Sequence, residues 1–163
     1  MIQVEIASVA VDSRGQPVVV LAPVGAEPVT RRLLPIWVGV PEATAIMMAV
    51  SGDTPARPQV YDLMTTLVER LGADVQKVVV TKLVNGTFFA EISLSTPSGE
   101  QLIDARPSDS LALAVRTGAP VFVAEAVFAE AGMPDAEGAG DEQTQLEAFH
   151  AFLDEVEPED FTG

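Results

Sequence analysis

Two apolar-rich runs meet at Asn85-Gly86, and that junction constrains the fold more than any other feature of the chain. Residues 75–84 carry apolar side chains on both faces, as a central strand does. Beyond the junction, Phe88, Ala90, Ile92 and Leu94 point one way, while Phe89, Glu91, Ser93 and Ser95 point the other. Asn-Gly tolerates positive φ at both turn positions, so the two runs are predicted to close as an antiparallel hairpin. Pro97-Ser98-Gly99 then turns the chain into a short strand at residues 101–104.

The same grammar recurs at the N-terminal end. Ile2, Val4 and Ile6 alternate with Gln3, Glu5 and Ala7, a half-buried strand. Ser13-Arg14-Gly15 signals a turn, and residues 17–22 supply the hairpin partner. Residues 29–38 read as a third strand, which Pro35 limits to an edge or a bulge. Between these strand groups lie helical patterns. Pro41 suits the first turn of a helix running to about Val50 and ending near Gly52. A second helix starts near Pro58, with Val60, Leu63, Met64, Leu67, Val68 and Leu71 at helical spacing before Gly72. It is the cleanest amphipathic pattern in the chain. A third helix takes Ser108 as its N-cap and Asp109 in its first turn, is apolar all round at residues 111–115, and closes at Gly118. A short strand at 121–123 and a short helix at 125–131 follow.

Hairpins interrupted by grouped helices predict an α+β fold, mainly an antiparallel sheet packed against helices. Residues 1–131 form the expected domain and 132–140 a flexible acidic linker. Residues 141–163 are an expected acidic amphipathic helix and tail, with Leu146, Phe149, Leu153 and Val156 at helical spacing. An apolar stripe there suits contact with another subunit or protein, and a homo-oligomer is expected.

Composition narrows the chemistry. The chain has no cysteine and one histidine, His150, which excludes thiolate nucleophiles, disulfides and multi-histidine metal sites. No signal-peptide pattern opens it and no apolar run approaches a membrane span, so a cytoplasmic protein without a membrane partner is expected. The net charge is −15, unevenly spread. Residues 1–118 hold all 9 Lys and Arg against 12 Asp and Glu, a balance of −3, and the other 12 acidic residues follow without a cation. Such a field opposes nucleic acid, whose binding relies on positive charge. Any action on nucleic acid must work against that field or through a metal ion.

Candidate chemistry concentrates in residues 103–116, Ile-Asp-Ala-Arg-Pro-Ser-Asp-Ser-Leu-Ala-Leu-Ala-Val-Arg. Asp104 and Asp109 bracket a strand-to-helix turn that contains Arg106. Carboxylates there suit Mg²⁺ or Mn²⁺, and the guanidinium and the helix N-terminus suit phosphate. A structural reading stands beside this one: Asp109 complements the helix dipole, and Asp104–Arg106 is an ion pair shaping the turn. Arg57-Pro58 enters the second helix much as Arg106-Pro107 enters the third. The two arginines suit a phosphate, or acids such as Glu42, Asp62 and Glu91. Trp37, Met47 and Met48 fit core packing or a subunit contact. With one histidine, phosphodiester hydrolysis would require a carboxylate-bound metal, with arginine stabilising the pentavalent charge.

Four stretches together resemble the bifunctional nuclease domain family: Leu34-Pro35-Ile36-Trp37-Val38-Gly39, Glu42-Ala43-x-Ala45-Ile46, Arg57-Pro58-x-x-x-Asp62-Leu63 and Ile103-Asp104-Ala105-Arg106-Pro107-Ser108-Asp109. The resemblance covers residues 1–131 well and the end of the chain more loosely. It implies DNase and RNase activity, with Asp104, Asp109, Arg106, Arg57 and Asp62 catalytic. The residues expected on the substrate are Arg57, Arg106, Ser108 and Tyr61, and those expected on a divalent metal are Asp104, Asp109 and Glu42. The family often carries histidine before the aspartate of the third stretch, where this chain has Tyr61, whose hydroxyl can position a phosphate. The alternative is a non-catalytic binding or regulatory module in which the Asp/Arg cluster is a structural ion-pair network.

Overall fold

Both strand groups form, and a strand from late in the chain joins them. The computed structural model describes residues 1–27 and 31–135. In it, β1 (Ile2–Val11), β2 (Pro17–Pro23) and β3 (Arg32–Trp37) make one antiparallel run. β4 (Asp74–Val84), β5 (Thr87–Thr96) and β6 (Gly99–Ala105) make the other. β7 (Val121–Val123) lies between the runs, antiparallel to β1 and parallel to β4. β8 (Met133–Pro134) pairs with the start of β3, giving the order β6-β5-β4-β7-β1-β2-β3-β8. The fold is α+β, with a mostly antiparallel sheet.

The turn residues act as their chemistry dictates. Asn85 (φ 50°) and Gly86 (φ 77°) both take positive φ, and Val84 pairs with Thr87 across them. In the β1–β2 hairpin, buried Asp12 accepts the Arg14 and Gln16 backbone N–H groups at 2.9 and 2.8 Å and the Trp37 indole N–H at 3.2 Å. Three donors satisfy a carboxylate that would otherwise be costly to bury. Trp37 packs on Val18 and Val20 in a small second cluster, a core role. Pro35 pairs with Val20 on one side, while β8 covers only Arg32 and Leu33 on the other. Sheet proline is tolerated where no strand needs its N–H.

The main core lies between the sheet and the helices α1 (Val40–Ser51), α2 (Val60–Arg70), α3 (Pro107–Thr117) and α4 (Glu125–Ala131). Leu21, Ile36, Val78, Val80 and Phe88 meet Ile46 of α1, Leu111 and Leu113 of α3 and Phe128 of α4 there. α3 packs against α1, α2, β4 and β5, which explains its apolar middle. No helix among the described residues is long and apolar enough to cross a membrane.

Three local expectations are corrected. Ser108 is not the N-cap of α3: Arg106 occupies that position and Pro107 takes the first helical one, because its fixed φ is already helical. The two Arg-Pro entries are therefore not equivalent, since α2 starts later, with Gln59 as its N-cap in a capping box with Asp62. The expected linker at 132–140 begins instead as β8, and Asp135 is buried against Arg31, which donates to it at 2.6 Å. The C-terminal amphipathic helix and His150 lie outside the described residues.

α2 is helical as predicted, but its apolar stripe faces outward. Val60, Leu63, Leu67 and Leu71 are 64%, 52%, 54% and 76% exposed. The face turned to the protein is Tyr61, Thr65 and Val68, also at helical spacing. Period identifies a helix; here it does not identify the buried side.

Candidate functional site

The first turns of three helices bring their polar side chains together. Arg106 is the hub. Its Nε donates to Asp109 Oδ2 at 2.7 Å and its Nη2 to Asp109 Oδ1 at 3.0 Å, a two-pronged grip. The same Nη2 reaches Glu42 Oε1 of α1 at 2.8 Å. From α2, the Tyr61 hydroxyl donates to Asp109 Oδ1 at 2.7 Å. Glu42 and Asp109 each sit in a first turn, where a negative charge is favoured by the unpaired N–H groups of the helix.

A second ion pair backs the first. Arg116 donates through Nε to Asp62 Oδ1 at 2.7 Å and through Nη1 to the Ala112 carbonyl at 2.9 Å. Its guanidinium lies 5.4 Å from the centre of the Tyr61 ring. Tyr61 is thus held twice, by hydroxyl to Asp109 and by ring to Arg116. Asp62 also accepts the Gln59 backbone N–H at 2.8 Å, so it caps its own helix.

Gly39 contributes by having no side chain. A Cβ there would collide with the Glu42 carboxylate, which folds back over the start of α1. It belonged to a recognised stretch without any assigned role. The signal was its place three residues before an acid at a helix start.

The electrostatics follow from these contacts. Burial opposes ionisation of Asp109, but hydrogen bonds from Arg106 and Tyr61 outweigh it and hold the carboxyl below its ordinary range. Arg116, then the Gln59 N–H, lower Asp62. Burial, then the hydrogen bond to the Asp109 carboxylate, push the Tyr61 phenol up, so it stays a proton donor. Hydrogen bonds to Asp109 and Glu42 raise Arg106, which stays a cation.

A pH dependence follows. The two aspartates titrate lower folded than unfolded, so they contribute stability above the unfolded value of about 4 and lose it as pH falls through the folded values. Urea unfolding should show little change from these groups between about pH 5 and 8 and a fall in stability below about pH 4. An Asp62→Asn/Asp109→Asn variant should have a shallower acid limb. Identical acid limbs in the two proteins would remove these aspartates as its source.

Not every expected site residue joins the cluster. Asp104 pairs across the β5–β6 ladder with Glu91, whereas Ile103 pairs with Ile92, a core residue beneath the helices. Successive strand residues face opposite ways, so Asp104 projects from the other face of the sheet. Asp104 and Asp109, five residues apart, are not brought together. Arg57 lies exposed ahead of α2 and makes no ion pair among the described residues. Ser108 is buried, and its Oγ has no hydrogen-bond partner among the described residues.

The donor set also bears on a metal. No group of three or more acidic or histidine side chains among the described residues is placed to hold one. Glu42 and Asp109 do converge on a cation, but it is the Arg106 guanidinium, and both Asp109 oxygens are engaged. In this arrangement the residues do not fit a resident Mg²⁺ or Mn²⁺. What they offer is a guanidinium whose inner edge is gripped by Asp109 and whose Nη1 makes no hydrogen bond to any of the described residues. Arg106 is 56% exposed, so that edge meets solvent.

Comparison with known proteins places this geometry in context. The family model described as the bifunctional nuclease domain matches residues 19–136, a span that holds every member of the cluster. An uncharacterized protein of Mycobacterium tuberculosis is 38% identical over 154 residues, covering 91% of this chain and 90% of its own length. Bifunctional nuclease 1 of Arabidopsis thaliana is 35% identical over 97 residues, 58% of this chain and 30% of that protein. Bifunctional nuclease 2 of Oryza sativa subsp. japonica is 31% identical over 116 residues, 69% of this chain and 34% of that protein. The likeness to the plant proteins is thus confined to about a third of their length.

Proposed function

The chain belongs to the bifunctional nuclease domain family, and we propose that it hydrolyses phosphodiester bonds of DNA, RNA or both at the Glu42–Arg106–Asp109 cluster. The observation that carries this reading is the asymmetric hold on Arg106. Asp109 grips it with two hydrogen bonds, Glu42 with one. A phosphate arriving from solvent competes with Glu42 for the guanidinium edge while Asp109, steadied by Tyr61, keeps the side chain in place. Exposed Arg57 supplies a second positive charge as substrate approaches. Glu42, released beside the bound phosphate, accepts the proton of the water that attacks phosphorus, Arg106 stabilises the charge that builds on phosphorus-bound oxygen, and the bond to the leaving sugar oxygen breaks as that oxygen takes a proton from solvent. Asp109, Tyr61 and Asp62 are positioning residues in this scheme.

The non-catalytic reading keeps one specific observation in its favour: Glu42, Arg106 and Asp109 already neutralise much of one another's charge. The two readings part in one assay. Purified protein is incubated with single-stranded DNA and RNA in Mg²⁺, in Mn²⁺ and in EDTA, alongside Glu42→Gln. Cleavage that survives EDTA and is lost in Glu42→Gln supports the proposed roles. Cleavage abolished by EDTA would restore a metal requirement and displace Glu42 as base. Absence of cleavage in every arm would leave the ion-pair network as the function of the cluster.

A further inference from the structure

We infer that the outward stripe of α2 is the surface through which two copies of this chain associate. Val60, Leu63, Met64, Leu67 and Leu71 line up along one side of the helix, all exposed. Contiguous and 36% to 76% exposed, they form an apolar patch of the kind that on a monomer reaches roughly 300–600 Å² and marks an interaction site. A patch of that size is a large part of the ~800 Å² each partner contributes to a standard interface. The surface continues past the C-terminal end of the helix. Leu71 also lines a cleft of about 510 Å³ with Val68, Ala73, Leu94 and Pro97, so a flat stripe runs into an apolar hollow. A ridge beside a hollow on one molecule suits a two-fold contact, in which each copy offers both.

Charge selects the occupant. Asp62 is taken up by Arg116, so the outward face of the helix carries Glu69 against Arg70, with Arg57 just ahead of it, a surplus of a single positive charge. The chain's own remaining segment, residues 136–163, has nine acidic residues and no lysine or arginine. It would bring nine negative charges to a face with one surplus cation to receive them. A second α2 brings the same nearly balanced rim and matching apolar area. This inference is independent of the proposed nuclease chemistry, because the stripe lies on the side of α2 away from Tyr61.

Sedimentation velocity of the full chain over two decades of concentration tests it. The wild-type protein is expected to approach twice the 17.2 kDa chain mass as concentration rises. Leu63→Glu/Leu67→Glu should remain at the single-chain mass with an unchanged circular dichroism spectrum, since both side chains are already half exposed. Leu102→Glu, on the exposed edge strand β6, should dimerise as wild type does. A wild-type protein that stays monomeric throughout overturns the inference. So does a dimer that survives the α2 substitutions, or one broken by Leu102→Glu, which would move the contact to the sheet edge.

Discussion

Arg106→Ala is expected to lower cleavage of DNA or RNA by about 100-fold or more, the usual loss when one donor to a developing oxyanion is removed. The fold should survive, because the side chain is more than half exposed and an exposed ion pair contributes little, about 0–1 kcal/mol. Arg106→Lys separates charge from shape. Lysine keeps the positive charge but has no second nitrogen in the plane with which to hold Asp109 in two prongs. It should recover only a small part of the activity. Full recovery in the lysine variant would mean that a point charge suffices and that the grip by Asp109 has no catalytic consequence. Unchanged cleavage by Arg106→Ala would remove the cluster from the reaction altogether.

Asp109→Ala is expected to have the larger structural effect, roughly 2–3 kcal/mol of unfolding free energy. It deprives the Tyr61 hydroxyl of its acceptor inside the protein and leaves Arg106 held by Glu42 alone. Tyr61→Phe removes only the donor and should cost about 1 kcal/mol, because Asp109 keeps both bonds from Arg106. The double variant Tyr61→Phe/Asp109→Ala should then cost less than the sum of the two single changes, since the orphaned hydroxyl is gone. Chemical denaturation of the four proteins measures this directly. Strict additivity would show that the 2.7 Å hydroxyl–carboxylate contact does not couple the two residues in solution.

Local chemistry was the legible part of the chain. Asn85-Gly86 fixed a hairpin register because two adjacent residues tolerate positive φ, and the core strands followed from alternation. Membership of the family was readable for the same reason, from short contiguous motifs. What could not be read was direction. Asp104 and Asp109 look like a pair in the sequence, yet strand parity sends Asp104 to the far face while the helix turns Asp109 toward Arg106. On α2, Tyr61-Thr65-Val68 and Val60-Leu63-Leu67-Leu71 both satisfy helical spacing. The packing of α2 against α3 and β4 selects the first for the interior. The Glu42–Arg106 contact spans 64 positions, a separation at which no local pattern announces a partner.

The place of β7 bears on how the molecule is made. Three residues, Val121–Val123, stitch β1 to β4. Ile2 finds its neighbour about 120 positions away, and pairings of such separation close slowly. On the ribosome, both meanders emerge before their common strand, each with a border that only β7 will cover, β1 in the first and β4 in the second. Unpaired borders of this kind recruit other chains. A nascent polypeptide arrested short of Val121 would therefore hold two unjoined half-sheets, and release of those last few positions is the step that turns them into one.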